Sequence, residues 1–236
     1  MPTQVTPSPL RPNLMRPECG VVVVSEWSVG SPERQAAAIG AFAEAWSAGP
    51  SPTGLLTCNL LKNNDGRGIV AYGQWIAEQH YFDAIESHIR PRLDLVDLAV
   101  PGILRNPPVF YHLQRSRIRD TAAYPGCVVL VTFEFENPDQ ERQKQFVRTV
   151  FQTVDAMSEH PAGALGGHFH VSTDGLRVLN YAEWASAEDH RQAIEGTGPG
   201  KIGSGPGWQA VRAFPGLKTS SFQRYSLGLN LAAGRG

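Results

Sequence analysis

The chain has 236 residues, 42% of them hydrophobic and 18% charged, with a net charge of −1. That balance suits a packed soluble protein and leaves no excess of positive charge to neutralise phosphates, which argues against a nucleic-acid or membrane-surface partner. Three cysteines (Cys19, Cys58, Cys127), odd in number and without metal spacing, read as buried thiols in a reducing compartment, so a cytoplasmic location is expected.

Residues 1–18 carry five prolines in the first 17 positions and no apolar core, so they are neither a signal peptide nor a spanning helix and are expected to be a flexible tail. Val21–Val24 and Trp27 then make an apolar strand, covered on both faces or part of a barrel. Ser31-Pro32-Glu33 starts a helix, with Ser at the cap, whose Ile39, Phe42, Ala43 and Trp46 share one face. Leu55–Leu61 and Ile69–Trp75 form a hairpin, with Asp65-Gly66 supplying the positive backbone angles of its turn. Glu78–Ile89 reads as a helix with Phe82, Ile85 and Ile89 on one side. Pro91–Pro107 reads as irregular or partly helical, and Val109–Ile118 as a strand. The order then recurs. Val128–Phe135 is a strand, and Pro138 begins a helix whose Phe146, Val147, Val150, Phe151, Val154 and Met157 form its buried stripe. A hairpin, a helix over Ala187–Ile194, a Gly/Pro loop, a short helix over Trp208–Phe214 and a strand over Phe222–Leu229 follow.

The recurrence is visible residue by residue. Gly54–Trp75 and Gly163–Trp184 align without a gap at an offset of 109. They share the opening Gly, the Asp-Gly turn (Asp65-Gly66, Asp174-Gly175) and a closing Tyr-x-x-Trp (Tyr72/Trp75, Tyr181/Trp184). Two copies of one β-α-β-β-α-β unit are implied, at 19–118 and 126–236 with a linker at 119–125. The fold class is α+β: two tandem ferredoxin-like domains, expected to pack sheet to sheet as a barrel-like internal pseudo-dimer. Each half would keep a pocket between its sheet and helices.

Polar and aromatic residues gather around the hairpins. The second half offers His168, His170, Asn180, Tyr181, Trp184 and His190; the first offers Trp27, Asn59, Tyr72, Trp75, His80 and Tyr81. Strand alternation puts His168 with His170 on one face and Asn180 with Trp184 on one face. Walls of Trp and Phe with a few orienting polar groups suit a flat polycyclic phenol. The plainer reading stands beside it: a Trp that closes a strand is most often core. His168-x-His170 has no third ligand placed by the sequence, so no metal is expected. Gly198–Gly203 satisfies G-x-G-x-x-G but follows a helix and contains Pro, so a lid or mobile loop is expected there rather than a dinucleotide turn.

With Asp174-Gly175 and Asn180-Tyr181-Ala182-Glu183-Trp184 in view, the sequence resembles the antibiotic biosynthesis monooxygenase superfamily of dimeric α+β barrels. In the cofactor-free, quinone-forming members an Asn four residues before the Trp and a Tyr six after it surround the substrate. Here the second half keeps Asn180 and Trp184 with His190 at the Tyr position, and the first keeps Trp75 and Tyr81 with Ala71 in place of Asn. The hairpin residues and this resemblance together give the expected site: catalytic roles for His168, His170, Asn180, Trp184 and His190, with Trp27, Asn59, Tyr72, Trp75, His80, Tyr81 and Tyr181 binding substrate. The two-domain plan is similar to the angucycline ring-opening oxygenases of the jadomycin, gilvocarcin and kinamycin pathways. That similarity implies reduced flavin (FADH2 or FMNH2) as a diffusible co-substrate from a separate flavin reductase, O2 as oxidant, and oxidative C–C cleavage of a polycyclic quinone. The alternatives are a cofactor-free oxygenase that makes a quinone, or a non-redox cyclase or binding protein. The partner is a small aromatic polyketide, and the chain is a monomer with an internal pseudo-dimer, or a homodimer.

Overall fold

The computed structural model describes residues 5–7, 11–197 and 200–233; residues 1–4 and 8–10 of the expected tail and Gly198-Pro199 of the expected lid lie outside the described residues. Two compact units emerge, residues 1–111 with 225–236 and residues 112–224. No helix among the described residues is long and apolar enough to cross a membrane.

In the first unit, β1 (Val5–Pro7) and β2 (Val21–Ser28) precede helix α1 (Pro32–Ser47). The hairpin β3 (Leu55–Asn63) and β4 (Gly68–Trp75) follows, then α2 (Glu78–Ala84), a π turn (Ile85–Ile89), α3 (Arg90–Ala99), β5 (Leu104–Arg105) and the start of β6 (Val109–Ile118). The second unit holds the rest of β6, β7 (Cys127–Phe135), α4 (Gln140–Asp155), β8 (Ala164–Ser172), β9 (Arg177–Trp184), α5 (Ala187–Glu195), α6 (Gly205–Arg212) and most of β10 (Leu217–Ala233). The four strands of the first copy run in the order β6-β2-β4-β3 and those of the second in the order β10-β7-β9-β8. Both are the antiparallel arrangement of a ferredoxin-like unit, so the fold is α+β as expected.

The two copies agree down to their irregularities. In β3 the register against β4 slips between Leu55 and Thr57, and in β8 the register against β9 slips between Ala164 and Gly166, 109 residues later in each case. Helices α1 and α4 are capped by Ser31, which accepts from the Arg34 N–H, and by Asp139, which accepts from the Arg142 N–H. One turn on, Gln35 donates to the Gly68 carbonyl and Gln143 to the Arg177 carbonyl, tying each helix to its hairpin. Such a glutamine is buried because it replaces backbone partners that the hairpin end lacks.

Several expectations are corrected. The expected tail is partly ordered: β1 pairs with β10 (Thr6 opposite Ala232), Leu14 is buried, and the Leu14 carbonyl accepts from Gln74. In the hairpin turns only the glycines, Gly66 and Gly175, take positive φ; Asp65 and Asp174 instead cap the turn by accepting from the backbone N–H groups of Arg67 and Leu176. Helix α4 starts after Asp139, not at Pro138, because the carboxylate is the better cap. Phe82 is about half exposed rather than core, and stacks on Phe110.

The stretch from Pro91, expected to be irregular, continues the helix. The Arg90 N–H bonds to the Ile85 carbonyl, five residues back, and this wider turn lets Pro91 enter without breaking an α-helical bond. Arg92 then points inward and donates to the carbonyls of Ala45, His88 and Pro50, with its guanidinium 5.2 Å from the Trp46 ring centroid. In the second copy the corresponding helix, α6, packs on α4 as α3 packs on α1, but it is a separate helix that begins at Gly205, after α5 has ended at Glu195.

Candidate active site

Each unit has a cavity between its sheet and helices, and they differ greatly. The first unit's is about 80 Å³, lined by Trp27, Phe42, Trp46, Trp75 and Tyr81 among others. The second unit's is about 280 Å³, at the low end of the range that holds small organic ligands, roughly 300–1,000 Å³.

Strand register explains what lines the larger cavity. Asn180, Ala182 and Trp184 alternate along β9 and face the helices, with Gly167 and Phe169 beside them on β8 and Val131 and Phe133 on β7. Val150, Phe151 and Val154 close it from α4, His190 and Ile194 from α5, and Trp208 from α6. The aromatic walls are apolar, yet three polar atoms in them are buried and have no hydrogen-bond partner among the described residues: Asn180 Oδ1, Trp184 Nε1 and Trp208 Nε1. An unsatisfied buried polar atom costs about 1–3 kcal/mol. A ligand oxygen that reached any of them would relieve that cost.

His190 completes the wall. Its ring stands edge-on to Trp184 and to Phe222, each at 5.1 Å between centroids. Arg224 donates from Nε to His190 Nδ1 at 2.9 Å. A ring nitrogen that accepts from a guanidinium cannot carry a proton, so the neutral ring bears its proton on Nε2. Burial, and next the Arg224 charge, push the imidazole down to about 4. His190 is therefore a neutral donor at ordinary pH, not a ready base.

Of the expected catalytic residues, the structure brings Asn180, Trp184 and His190 together and separates His168 and His170 from them. Those two histidines alternate with Phe169 along β8 and are buried on the opposite face. His168 Nδ1 lies 2.9 Å from Ser116 Oγ and its Nε2 3.4 Å from Glu183 Oε2. Burial pushes His170 down to about 3. Tyr181, opposite His168, is on that far face as well.

In the first half, Trp27, Trp75 and Tyr81 line the small cavity, and Trp75 meets Tyr81 edge-on at 5.4 Å. Tyr72 and Asn59 are buried on the other face of their hairpin, and His80 packs against Gly54, where an added Cβ would lie 2.4 Å from its ring. None of these three lines either cavity.

Reading the sequence missed Phe133, Phe151, Trp208, Phe222 and the arginines Arg117, Arg119, Arg212 and Arg224. It also passed over Gly166-Gly167, which stand where the first copy has Thr57-Cys58. That last signal was present in the repeat alignment: adjacent glycines in one copy, side chains in the other.

No family model matches the chain. A stretch of 51 residues is 35% identical to the tetracenomycin-F1 monooxygenase of Streptomyces glaucescens, covering 22% of this chain and 46% of that protein. The match thus spans about half of the relative's length. Among solved structures, an anthrone oxidase-like protein superposes with a TM-score of 0.70 at 15% identity, covering 91% of this chain and 94% of its own. A monooxygenase-type protein from Lactobacillus acidophilus gives 0.55 at 10% identity, covering 90% and 96%. This chain has the fold of those two solved structures.

Proposed function

We propose that the protein is an oxidoreductase, a monooxygenase that oxidises a planar polycyclic phenol or anthrone of aromatic polyketide origin in the cavity of its second unit. The observation that carries this is the cavity itself: an aromatic slot of about 280 Å³ whose unsatisfied polar atoms, Asn180 Oδ1, Trp184 Nε1 and Trp208 Nε1, await oxygens. The tetracenomycin-F1 monooxygenase similarity and the anthrone oxidase-like fold support the same class of reaction.

The cavity matches one polycycle. The reaction is therefore written on the substrate alone, with the flavin arm left to the experiment below. Aromatic walls hold the ring plane, and Asn180 Oδ1 accepts from a phenolic hydroxyl. The donors Trp184 Nε1–H, Trp208 Nε1–H and His190 Nε2–H stabilise negative charge on the substrate oxygen. Among the described lining residues there is no carboxylate, and His190 is held neutral with its acceptor nitrogen occupied. Catalysis therefore works by making the bound phenol or anthrone more acidic, and its proton passes to water at the cavity mouth. The electron-rich anion reduces O2 by one electron, the radical pair joins as a hydroperoxide, and loss of water leaves a carbonyl. One oxygen atom ends in product and one in water; the electrons come from the ring CH2 of an anthrone, or from the ring C–H opposite the hydroxyl of a phenol together with its O–H.

The test is O2 uptake by the purified chain on polycyclic phenols that include an anthrone and dehydrorabelomycin, each with and without FAD, a flavin reductase and NADH. Uptake without the flavin system, yielding a quinone, is expected. Uptake that requires the flavin system and yields a ring-opened product would replace this reading with flavin-fed cleavage. Binding without uptake would make the protein a cyclase or carrier.

A further inference from the structure

The mouth of the larger cavity is positively charged, although the chain as a whole is not. Arg117 and Arg119, two residues apart on and just beyond β6, and Arg212 of α6 line the cavity. The same strand's Arg115 sits 4.1 Å from the Phe151 ring centroid, and Arg117 sits 5.6 Å from it. Only one carboxylate answers these charges: Asp155 pairs with Arg117. Arg212 donates to the Gly203 carbonyl, and neither Arg212 nor Arg119 has a carboxylate partner among the described residues. The groups feel each other: burial and next the Arg117 charge lower Arg119, and burial, Arg119 and Arg117 lower His160, with Asp155 opposing both shifts. Crowding like charges at the edge of an apolar slot is unfavourable unless an anion sits among them, and low-dielectric walls strengthen the field there. The first unit's cavity, by contrast, has no charged residue in its lining.

Resting on the proposed oxidation of a polycycle, we infer that the substrate is an acid: a polycyclic aromatic carrying a carboxylate at the edge away from the reacting ring. That carboxylate is held by Arg119 and Arg212 while the reacting end lies against Asn180, Trp184 and His190. The arrangement fixes which end of a flat, otherwise sliding molecule meets the inner donors. A guanidinium suits this because its planar fork matches a carboxylate with two parallel hydrogen bonds.

The experiment is a tryptophan-quenching titration of the full chain with anthracene-2-carboxylate and, separately, its neutral counterpart 2-(hydroxymethyl)anthracene. Wild type, Arg119→Gln, Arg212→Gln and the double variant are compared, with thermal melting as a check on folding. Wild type is expected to prefer the acid by at least about tenfold, the worth of one charge-assisted pair. The preference should shrink in each single variant and vanish in the double, while affinity for the neutral ring stays the same. Arg119 is exposed, so its variant keeps the inference falsifiable even if Arg212→Gln disturbs α6. Equal binding of acid and neutral ring, or a preference that survives the double substitution, would overturn the acidic substrate and leave the oxidation reading standing. Quenching by neither compound would overturn both.

Discussion

The two halves share hairpin, bulge, caps and helix-tying glutamine, yet one encloses about 280 Å³ and the other about 80 Å³. Strand register and the shared caps pair their walls. Trp27 corresponds to Phe133, Phe42 to Val150, Trp46 to Val154, Leu55 to Ala164, and Thr57-Cys58 to Gly166-Gly167. In the first half, Trp27 packs on Phe42 at 5.8 Å and Phe42 on Trp46 at 5.1 Å, filling the slot from within. At every one of these positions the second half has the smaller residue. The polar groups diverge in the same direction: Asn180 faces the second slot where Ala71 faces the first, and His190 replaces Tyr81. A duplicated unit has thus become one open site and one nearly filled core, through side-chain volume in the shared elements and through the segment after α5, whose Ile202, Gly203, Trp208 and Val211 line the larger cavity.

The comparison breaks most visibly if the volumes are exchanged. Val150→Phe with Val154→Trp gives the second half the first half's filling. O2 uptake should then fall at least about a hundredfold with melting temperature held or raised, since the new atoms occupy empty space. The converse pair, Phe42→Val with Trp46→Val, should leave activity intact while costing about 3–5 kcal/mol in a denaturant titration, because it empties a packed core. Activity that survives the refilled second slot would place the chemistry elsewhere. Next in size, Asn180→Ala and Trp184→Phe should each lower turnover about 10- to 100-fold without loss of folding. Trp75→Phe, its first-half counterpart, should change activity less than about twofold. Equal losses from Trp184→Phe and Trp75→Phe would mean that both halves work.

Arg224 sharpens the comparison further, as the first half has no such pair on Tyr81. Replacing it by Gln removes the donor that fixes the His190 tautomer and the charge that helps to depress it. The His190 value then rises from about 4, while burial, the larger cause, still holds it below the ordinary range. The acid limb of the pH–rate profile should then set in at a higher pH than in wild type, and the freed tautomer should cost roughly tenfold in turnover at neutral pH. A profile of unchanged shape would reduce Arg224 to a packing role.

Much of this was legible in the chain. A gapless repeat with its Asp-Gly turns fixed the number of units and the order of strands, because turn chemistry and strand alternation are local. Alternation also put Asn180 and Trp184 on one face. It does not say which face meets a cavity, and His168 and His170, equally regular and equally polar, lie on the far side from it. The arginines stayed hidden because Arg117, Arg212 and Arg224 come from three distant segments, and only the tertiary fold collects them. Pro91 misled for a different reason: a π turn absorbs it, and the sequence carries no separate sign of one.

The smallest effect separates the halves by acid. His170 and His190 correspond to Leu61 and Tyr81, so the buried, depressed histidines belong to the second half. Their folded values, about 3 and about 4, lie below the ordinary 6.5, so protons bind the unfolded chain first as pH falls. Stability is thus fully present above pH 6.5 and is lost as pH drops toward 4, and for His170 toward 3. Each group contributes a slope of about 1.4 kcal/mol per pH unit across its window. His170→Leu and His190→Tyr, which install the first half's residues, should each remove one proton's worth of that slope in denaturant titrations between pH 6.5 and 4. Amide hydrogen exchange should show protection lost at pH 4.5 in peptides of residues 112–224 before those of 21–100. Equal loss in both would mean that the acid response belongs to groups the two halves share, such as the carboxylate caps at the hairpin turns, and not to the histidines that set them apart.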